Sequence, residues 1–250
     1  MCVRVCACVC VCVRVCACVC VCFYFVRHRP SLLCRILGHH QIRKTKNSGG
    51  STKKLSLFFV VMENCFKGTL SIDRRFDLKG SWIGRSSKSE EARNNPSVCL
   101  KDTDAMDMHQ GIDVRSDMAQ HLVRTLTRDS LFLAEHHIID YSLLLGIHYN
   151  TPEEIQFFRQ KYEAIEASGM TFRDRVNAGL REGAEFYQLD SGGMVSRDFT
   201  ETYLIGIIDI LTEFNGSKKV SFERQCLLVG DFSSFFVPFA PQLICAISCL

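Results

Sequence analysis

Two apolar runs stand out in the second half of the chain, and each is broken by one acid. The first is Ile138-Ile139-Asp140-Tyr141-Ser142-Leu143-Leu144-Leu145-Gly146-Ile147-His148. The second is Tyr203-Leu204-Ile205-Gly206-Ile207-Ile208-Asp209-Ile210-Leu211. Short apolar runs rich in β-branched residues read as buried strands, so a strand opening at Asp140 and another over 203–211 are predicted. Residues 55–62 read as a further buried strand and 67–81 as one ending at Gly80. The polar Gly/Ser/Lys stretch 41–54 predicts a β-hairpin tip. Residues 31–38 form a short apolar element, and 86–96 a solvated, charged loop. Elsewhere the period changes. Met118, Leu122 and Leu126 at helical spacing predict an amphipathic helix over 113–128. Asp129 is placed to cap a second helix over 131–137. Residues 153–187 read as helical and polar, with Phe157, Tyr162 and Ile165 as core candidates, before a glycine-containing loop over 189–200. The sum is mixed α and β, with sheet-rich material first and helix-rich material after it.

The N-terminus follows another pattern. Residues 3–12 read VRVCACVCVC, and residues 13–22 repeat them without change. Eight of the fifteen cysteines fall in this repeat, and Cys2 directly precedes it. Strict Cys/Val alternation is what a TG dinucleotide repeat gives on translation, and a packed core has no need of it. Period-two alternation favours a strand over a helix, and such a strand left exposed would aggregate. Residues 1–26 approach the length of a bilayer span, but Arg4 and Arg14 interrupt the run. They lack the distinct apolar core and cleavage site of a signal peptide. Repeated C-x-C without histidine also leaves zinc or copper binding as a weaker reading, that of a Cys-rich anchored or metal-binding protein. The remaining cysteines are scattered, as buried thiols of a reducing compartment are.

The 250 residues suffice for one sizeable domain or a small two-lobed one. A net charge of +3, with acids and bases mixed, argues against a nucleic-acid partner. A lone carboxylate among apolar residues is costly to bury unless it is paired, protonated or bound to a cation. Asp140 and Asp209 together suggest one site built from two strand ends, with a base and a metal ligand for phosphoryl transfer. On spacing alone, two turn aspartates fit equally well. Upstream, Phe76-Asp77-Leu78-Lys79-Gly80-Ser81 offers a cation, a backbone open to close approach and a hydroxyl, the parts that hold a phosphate. It is not a Walker loop, because no glycine stands five positions before the lysine.

Taken in order, these stretches resemble the phosphatidylinositol phosphate kinase family. The family pattern is Asp-Leu-Lys-Gly-Ser, then a Met-Asp-Tyr-Ser-Leu-Leu-type motif, then Ile-Ile-Asp. This chain has Asp77 to Ser81, Ile139 to Leu144 and Ile207 to Asp209. Phe58 to Phe66 resembles the family's hinge strand, and Leu100-Lys101-Asp102 its short Leu-Lys-Asp segment. The resemblance runs from about Arg29 to about Arg224. It implies an α+β, two-lobed, protein-kinase-like fold with a cleft between the lobes. It also implies an enzyme that uses ATP and Mg²⁺ to phosphorylate a phosphatidylinositol monophosphate, foremost phosphatidylinositol 4-phosphate to the 4,5-bisphosphate. Such an enzyme is cytoplasmic and peripheral on an anionic membrane.

Residue by residue, the resemblance makes Asp140 the catalytic base and Asp209 the Mg²⁺ ligand. Lys79 matches the lysine beside the transferred phosphate. Arg85 and Lys101 match contacts to the phosphate already on the head group. Val61, Met62 and Asn64 match the hinge around adenine. Lys218 and Lys219 match the dilysine of a membrane-facing activation loop. Ser221 stands where the family carries the residue that tracks substrate choice. His136 and His148 fit no catalytic constellation and read as solvent-facing or core histidines.

The sequence departs from the pattern at both ends. The glycine-rich phosphate loop and the N-lobe lysine should precede Arg29, where the Cys/Val repeat stands, so an incomplete N-lobe is expected. Residues 227–250 are apolar and lack the charged terminal helix. The expected organisation is a repeat over 1–26, a partial catalytic domain over 27–226 and a divergent tail over 227–250. A catalytically inactive kinase fragment or scaffold is the alternative.

Overall fold

The computed structural model describes residues 24, 31–48, 51–66, 70–80, 93–108, 111–171, 174 and 193–212. In chain order the elements are β1 (Ile36–Ser48), β2 (Ser51–Met62), β3 (Arg74–Leu78), β4 (Cys99–Leu100) and α1 (Asp102–Asp107). They are followed by α2 (Ser116–Glu135), β5 (Ser142–Tyr149), α3 (Pro152–Ala167), β6 (Met194–Val195) and β7 (Glu201–Ile208). β1 and β2 form a two-stranded hairpin, and the other strands form one sheet in the order β4-β3-β5-β7-β6. β3 and β4 run parallel, while the remaining neighbours run antiparallel. The architecture is α+β.

Strand alternation decides where the core sits. Leu143, Leu145 and Ile147 of β5 lie opposite Ile207, Ile205 and Tyr203 of β7, so all six share one face. Leu122, Leu126 and Leu133 of α2 join the core cluster that this face contributes to. On the other face the side chain is missing where it matters. A Cβ on Gly146 would lie 2.6 Å from Phe66 Cε1, and one on Gly206 would lie 2.4 Å from Cys65 Sγ. The chain leaving β2 therefore lies directly on β5 and β7, an approach that only glycine permits.

α2 is one helix, where two were expected. Asp129 lies in its interior, fully buried, and caps nothing. Its carboxylate accepts from Tyr24 Oη at 2.6 Å, from the Leu32 amide at 2.6 Å and from Ser31 Oγ at 3.0 Å. Burial nevertheless pushes this carboxyl above the ordinary range, against the pull of those donors. The helix ends with His137 at φ 54°, while the amides of His137 and Ile138 reach back to the carbonyls of Ala134 and Leu133. That is a Schellman ending with histidine in the place usual for glycine, closed by the buried pair Leu133 and Ile138.

Other boundaries also differ from expectation. The predicted tip over 41–54 is mostly ladder, paired residue by residue up to Ser48 and Ser51. Among the described residues of 67–81 the strand is Arg74–Leu78, and within 203–211 it stops at Ile208. α3 runs Pro152–Ala167, opened by Thr151 and Glu154 in a capping box; much of the predicted remainder to 187 lies outside the described residues. Phe158, not Phe157, faces its core. His148 is a buried polar link: Nδ1 lies 2.9 Å from the Ser71 carbonyl oxygen and Nε2 lies 3.1 Å from Glu154.

Candidate active site at one end of the sheet

β5 runs antiparallel to both of its neighbours. Leu143 at its start faces Leu78 at the end of β3, and Ser142 faces Ile208 at the end of β7. The residues just beyond these ends, Lys79, Asp140 and Asp209, therefore share one end of the sheet. β4 runs parallel to β3 and delivers Lys101 and Asp102 to that same end.

Both aspartates occupy backbone that non-glycine residues seldom adopt, with φ at 63° for Asp140 and 62° for Asp209. Asparagine and aspartate tolerate this region best, and such strain gathers at functional sites. Each left-handed residue turns the chain at a strand end. The two turns are tied together, because the Ile139 amide donates to the Thr212 carbonyl at 2.8 Å.

Lys79 bridges them. Its ammonium donates to the Asp140 carbonyl oxygen at 2.8 Å and lies 3.9 Å from Asp209 Oδ2. Ser142 Oγ donates to the same Asp209 oxygen at 3.4 Å. The Lys79 side chain is 28% exposed and that of Asp209 is 58% exposed. An ion pair so open to water contributes at most about 1 kcal/mol to stability. Its value is in placing a cation and an accessible carboxylate side by side.

Among the described residues, no group of three or more His, Cys, Asp and Glu could form a protein cage for a metal. Mg²⁺ does not need one, since it binds through one or two carboxylates together with phosphate oxygens and water. Asp209, with Ser142 Oγ 3.4 Å from its Oδ2, offers oxygen ligands of that kind.

The other predicted residues are placed as follows. Lys101 is half-buried at the N-cap of α1, and its amide donates to Asp104 Oδ2 at 3.1 Å. Val61 is exposed near the end of β2, and Met62 packs on the core. Asn64 Oδ1 accepts from the Phe66 amide at 3.0 Å, shaping the turn that seats Cys65 and Phe66 on the two glycines. Arg85, Lys218, Lys219 and Ser221 lie outside the described residues.

One expectation needs correction. Lys79, Gly80 and Ser81 were read as a phosphate cradle in which the backbone takes part. The amides of Lys79 and Gly80 both donate to Asp102 Oδ1, at 3.0 and 2.8 Å. A side chain already fills that cradle, and Lys79 offers its ammonium alone. Asp102 and Ser142 stand within motifs that the sequence offers, but the sequence gives neither of them a role, nor the glycine pair. The available signal was an isolated glycine inside each acid-bearing apolar run.

A family model described as Phosphatidylinositol-4-phosphate 5-Kinase matches residues 22–227. A phosphatidylinositol 4-phosphate 5-kinase of Plasmodium falciparum is 34% identical over 202 residues, covering 81% of this chain and 11% of the relative. A probable phosphatidylinositol phosphate kinase of Dictyostelium discoideum is 31% identical, covering 80% of this chain and 32% of the relative. Phosphatidylinositol 4-phosphate 5-kinase 1 of Arabidopsis thaliana is 30% identical, covering 80% and 31%. The chain thus spans a third or less of the length of these curated relatives. With the matched region enclosing every element described above, this chain belongs to the phosphatidylinositol-4-phosphate 5-kinase family.

Proposed function

We propose that this chain transfers the γ-phosphoryl group of ATP to a hydroxyl of a phosphatidylinositol monophosphate, foremost phosphatidylinositol 4-phosphate. The observation that carries the reading is the Lys79 ammonium held between the turns of Asp140 and Asp209, 2.8 Å from one and 3.9 Å from the other. In this reading the Asp140 carboxylate takes the proton of the inositol hydroxyl as its oxygen bonds to the γ-phosphorus. The bond from that phosphorus to the bridging oxygen breaks, and ADP leaves. Lys79 neutralises charge on the transferred group. Asp209 would hold Mg²⁺, which when bound neutralises charge on the phosphate oxygens.

Lys101 and Arg85 would meet the phosphate already on the lipid. Val61, Met62 and Asn64 would line the adenine site. The β1–β2 hairpin is then part of an incomplete N-terminal lobe, with the nucleotide between it and the five-stranded sheet. Lys218 and Lys219 would rest on an anionic membrane, where each lysine contributes about 1 kcal/mol. In this reading the protein works in the cytoplasm, peripheral on the membrane. No helix among the described residues is long and apolar enough to cross one.

The test is lipid phosphorylation by the purified chain with labelled ATP and Mg²⁺, offering phosphatidylinositol 4-phosphate and 5-phosphate in parallel vesicles. Bisphosphate that disappears in Asp140→Asn is the expected result, a loss of about 10³-fold or more. A folded chain without product would overturn the catalytic reading and leave a kinase-derived scaffold.

A further inference from the structure

We infer that Asp102 is the positioning residue for Lys79. Asp102 is the first residue of α1, which follows β4, and it is 7% exposed. A single oxygen of its carboxylate accepts from two successive amides, Lys79 at 3.0 Å and Gly80 at 2.8 Å. Gly80 has φ 69°, the left-handed conformation that lets neighbouring amides converge on one anion. The anion in this nest is part of the protein. It ties the end of β3 to the end of β4 at the point where the chain turns out of the sheet.

The consequence falls on the Lys79 side chain. A lysine ammonium sits on a flexible stem, and its reach depends on where the backbone launches it. Pinning both the Lys79 and the Gly80 amide fixes that origin. From it the ammonium reaches the Asp140 carbonyl at 2.8 Å and stands 3.9 Å from Asp209. Without the carboxylate, two amides lose a charge-assisted acceptor, and the glycine recovers its conformational freedom. Arg93 cannot substitute for this tie, because a guanidinium only donates and has no atom to accept from an amide.

The effect on catalysis rests on the proposed role of Lys79, but the placement can be tested without turnover. In the full chain, the rate of reductive methylation at each lysine Nζ is followed by mass spectrometry. Asp102→Ala is expected to raise the Lys79 rate about three- to tenfold, the scale of one ordinary hydrogen bond. Lys161 on α3 should keep its rate. Asp102→Asn retains a carbonyl acceptor and should stay near wild type. An unmoved Lys79 rate with Lys161 unmoved overturns the inference. If every lysine in Asp102→Ala reacts faster, that variant has unfolded, and the question passes to Asp102→Asn. There the lost charge should shift the Lys79 and Gly80 amide protons while those of β5 stay in place, and unmoved amides overturn the inference. In the kinase assay, Asp102→Ala added to Lys79→Ala should cost no further turnover. Wild-type turnover in Lys79→Ala alone would sink the catalytic role of the lysine, leaving the labelling to decide the placement.

Discussion

The β1–β2 hairpin and the pair β5–β7 are both long antiparallel ladders, but they bury their apolar residues very differently. Leu57 in the hairpin is 58% exposed and Phe59 is 39% exposed, whereas Leu145 in β5 is 2% exposed. Ile42 pairs with Leu57 and also stands in solvent. The difference is the helix: the β5–β7 face shares a core with α2, while the apolar hairpin face remains exposed. Pairing is a local property of strands, and burial belongs to whatever lies across from them. The candidate site follows the packed region. Asp140, Asp209 and Lys79 all leave the ends of strands whose middles are buried.

The largest effect that would break this contrast is expected at Asp129. Asp129→Ala removes the acceptor of Tyr24, Ser31 and the Leu32 amide, leaving donors stranded in the core. A loss of about 3–5 kcal/mol is expected in urea unfolding, the scale of breaking a buried charged network. The direct comparison comes next. Leu145→Ala should cost about 2–5 kcal/mol, while Leu57→Ala should change stability by less than about 0.5 kcal/mol. Equal losses in the two variants would mean that the hairpin face is covered in solution.

Gly206→Ala examines the junction between the two regions. Its new Cβ would meet Cys65 Sγ at 2.4 Å, so either the β2 exit or β7 must shift. A cost of about 1–3 kcal/mol is expected, the range for overpacking. Adding Cys65→Ala should recover only part of it, because the Cys65 Cβ would still lie 2.9 Å from the new Cβ, as a double-mutant cycle would show.

The smallest expected effect is a pH dependence on α2. Burial first, and then Arg128 and Arg124, hold the His121 ring down to about 4. In the unfolded chain the ring titrates near its usual value of about 6.5. Between these values the unfolded state binds a proton that the folded state refuses. Stability is therefore full above about pH 6.5, falls as the pH drops towards 4 and levels off below it. The ring is only half-buried, so screening limits the fall to the order of 1 kcal/mol. The raised carboxyl of Asp129 acts in the opposite direction, gaining stability as the pH falls. Subtracting the thermal-unfolding profile of His121→Gln isolates the histidine contribution.

Much of the candidate site was legible because its residues sit in contiguous motifs. An acid within an apolar run is visible without coordinates, and Asp140 and Asp209 stand out that way, while Lys79 stands out beside Gly80 and Ser81. Helix α2 was misread at Asp129 because a buried carboxylate with three donors from residues 24–32 looks, in one dimension, like a cap. The turn after β3 was misread for a similar reason. Nothing beside Lys79 and Gly80 shows that Asp102, more than twenty positions later, accepts their amides.

The amino-acid sequence by itself determined which segments pair or coil, and which acids and lysine stand at their ends. These features depend on side-chain period and on neighbours within a few residues. Only the tertiary structure decided that four strand ends meet, that two glycines admit the chain leaving β2, and that Asp102 rather than a ligand fills the Lys79–Gly80 nest. Those outcomes depend on strand direction and register across long stretches of chain, and ladder hydrogen bonds set them only once the sheet has formed.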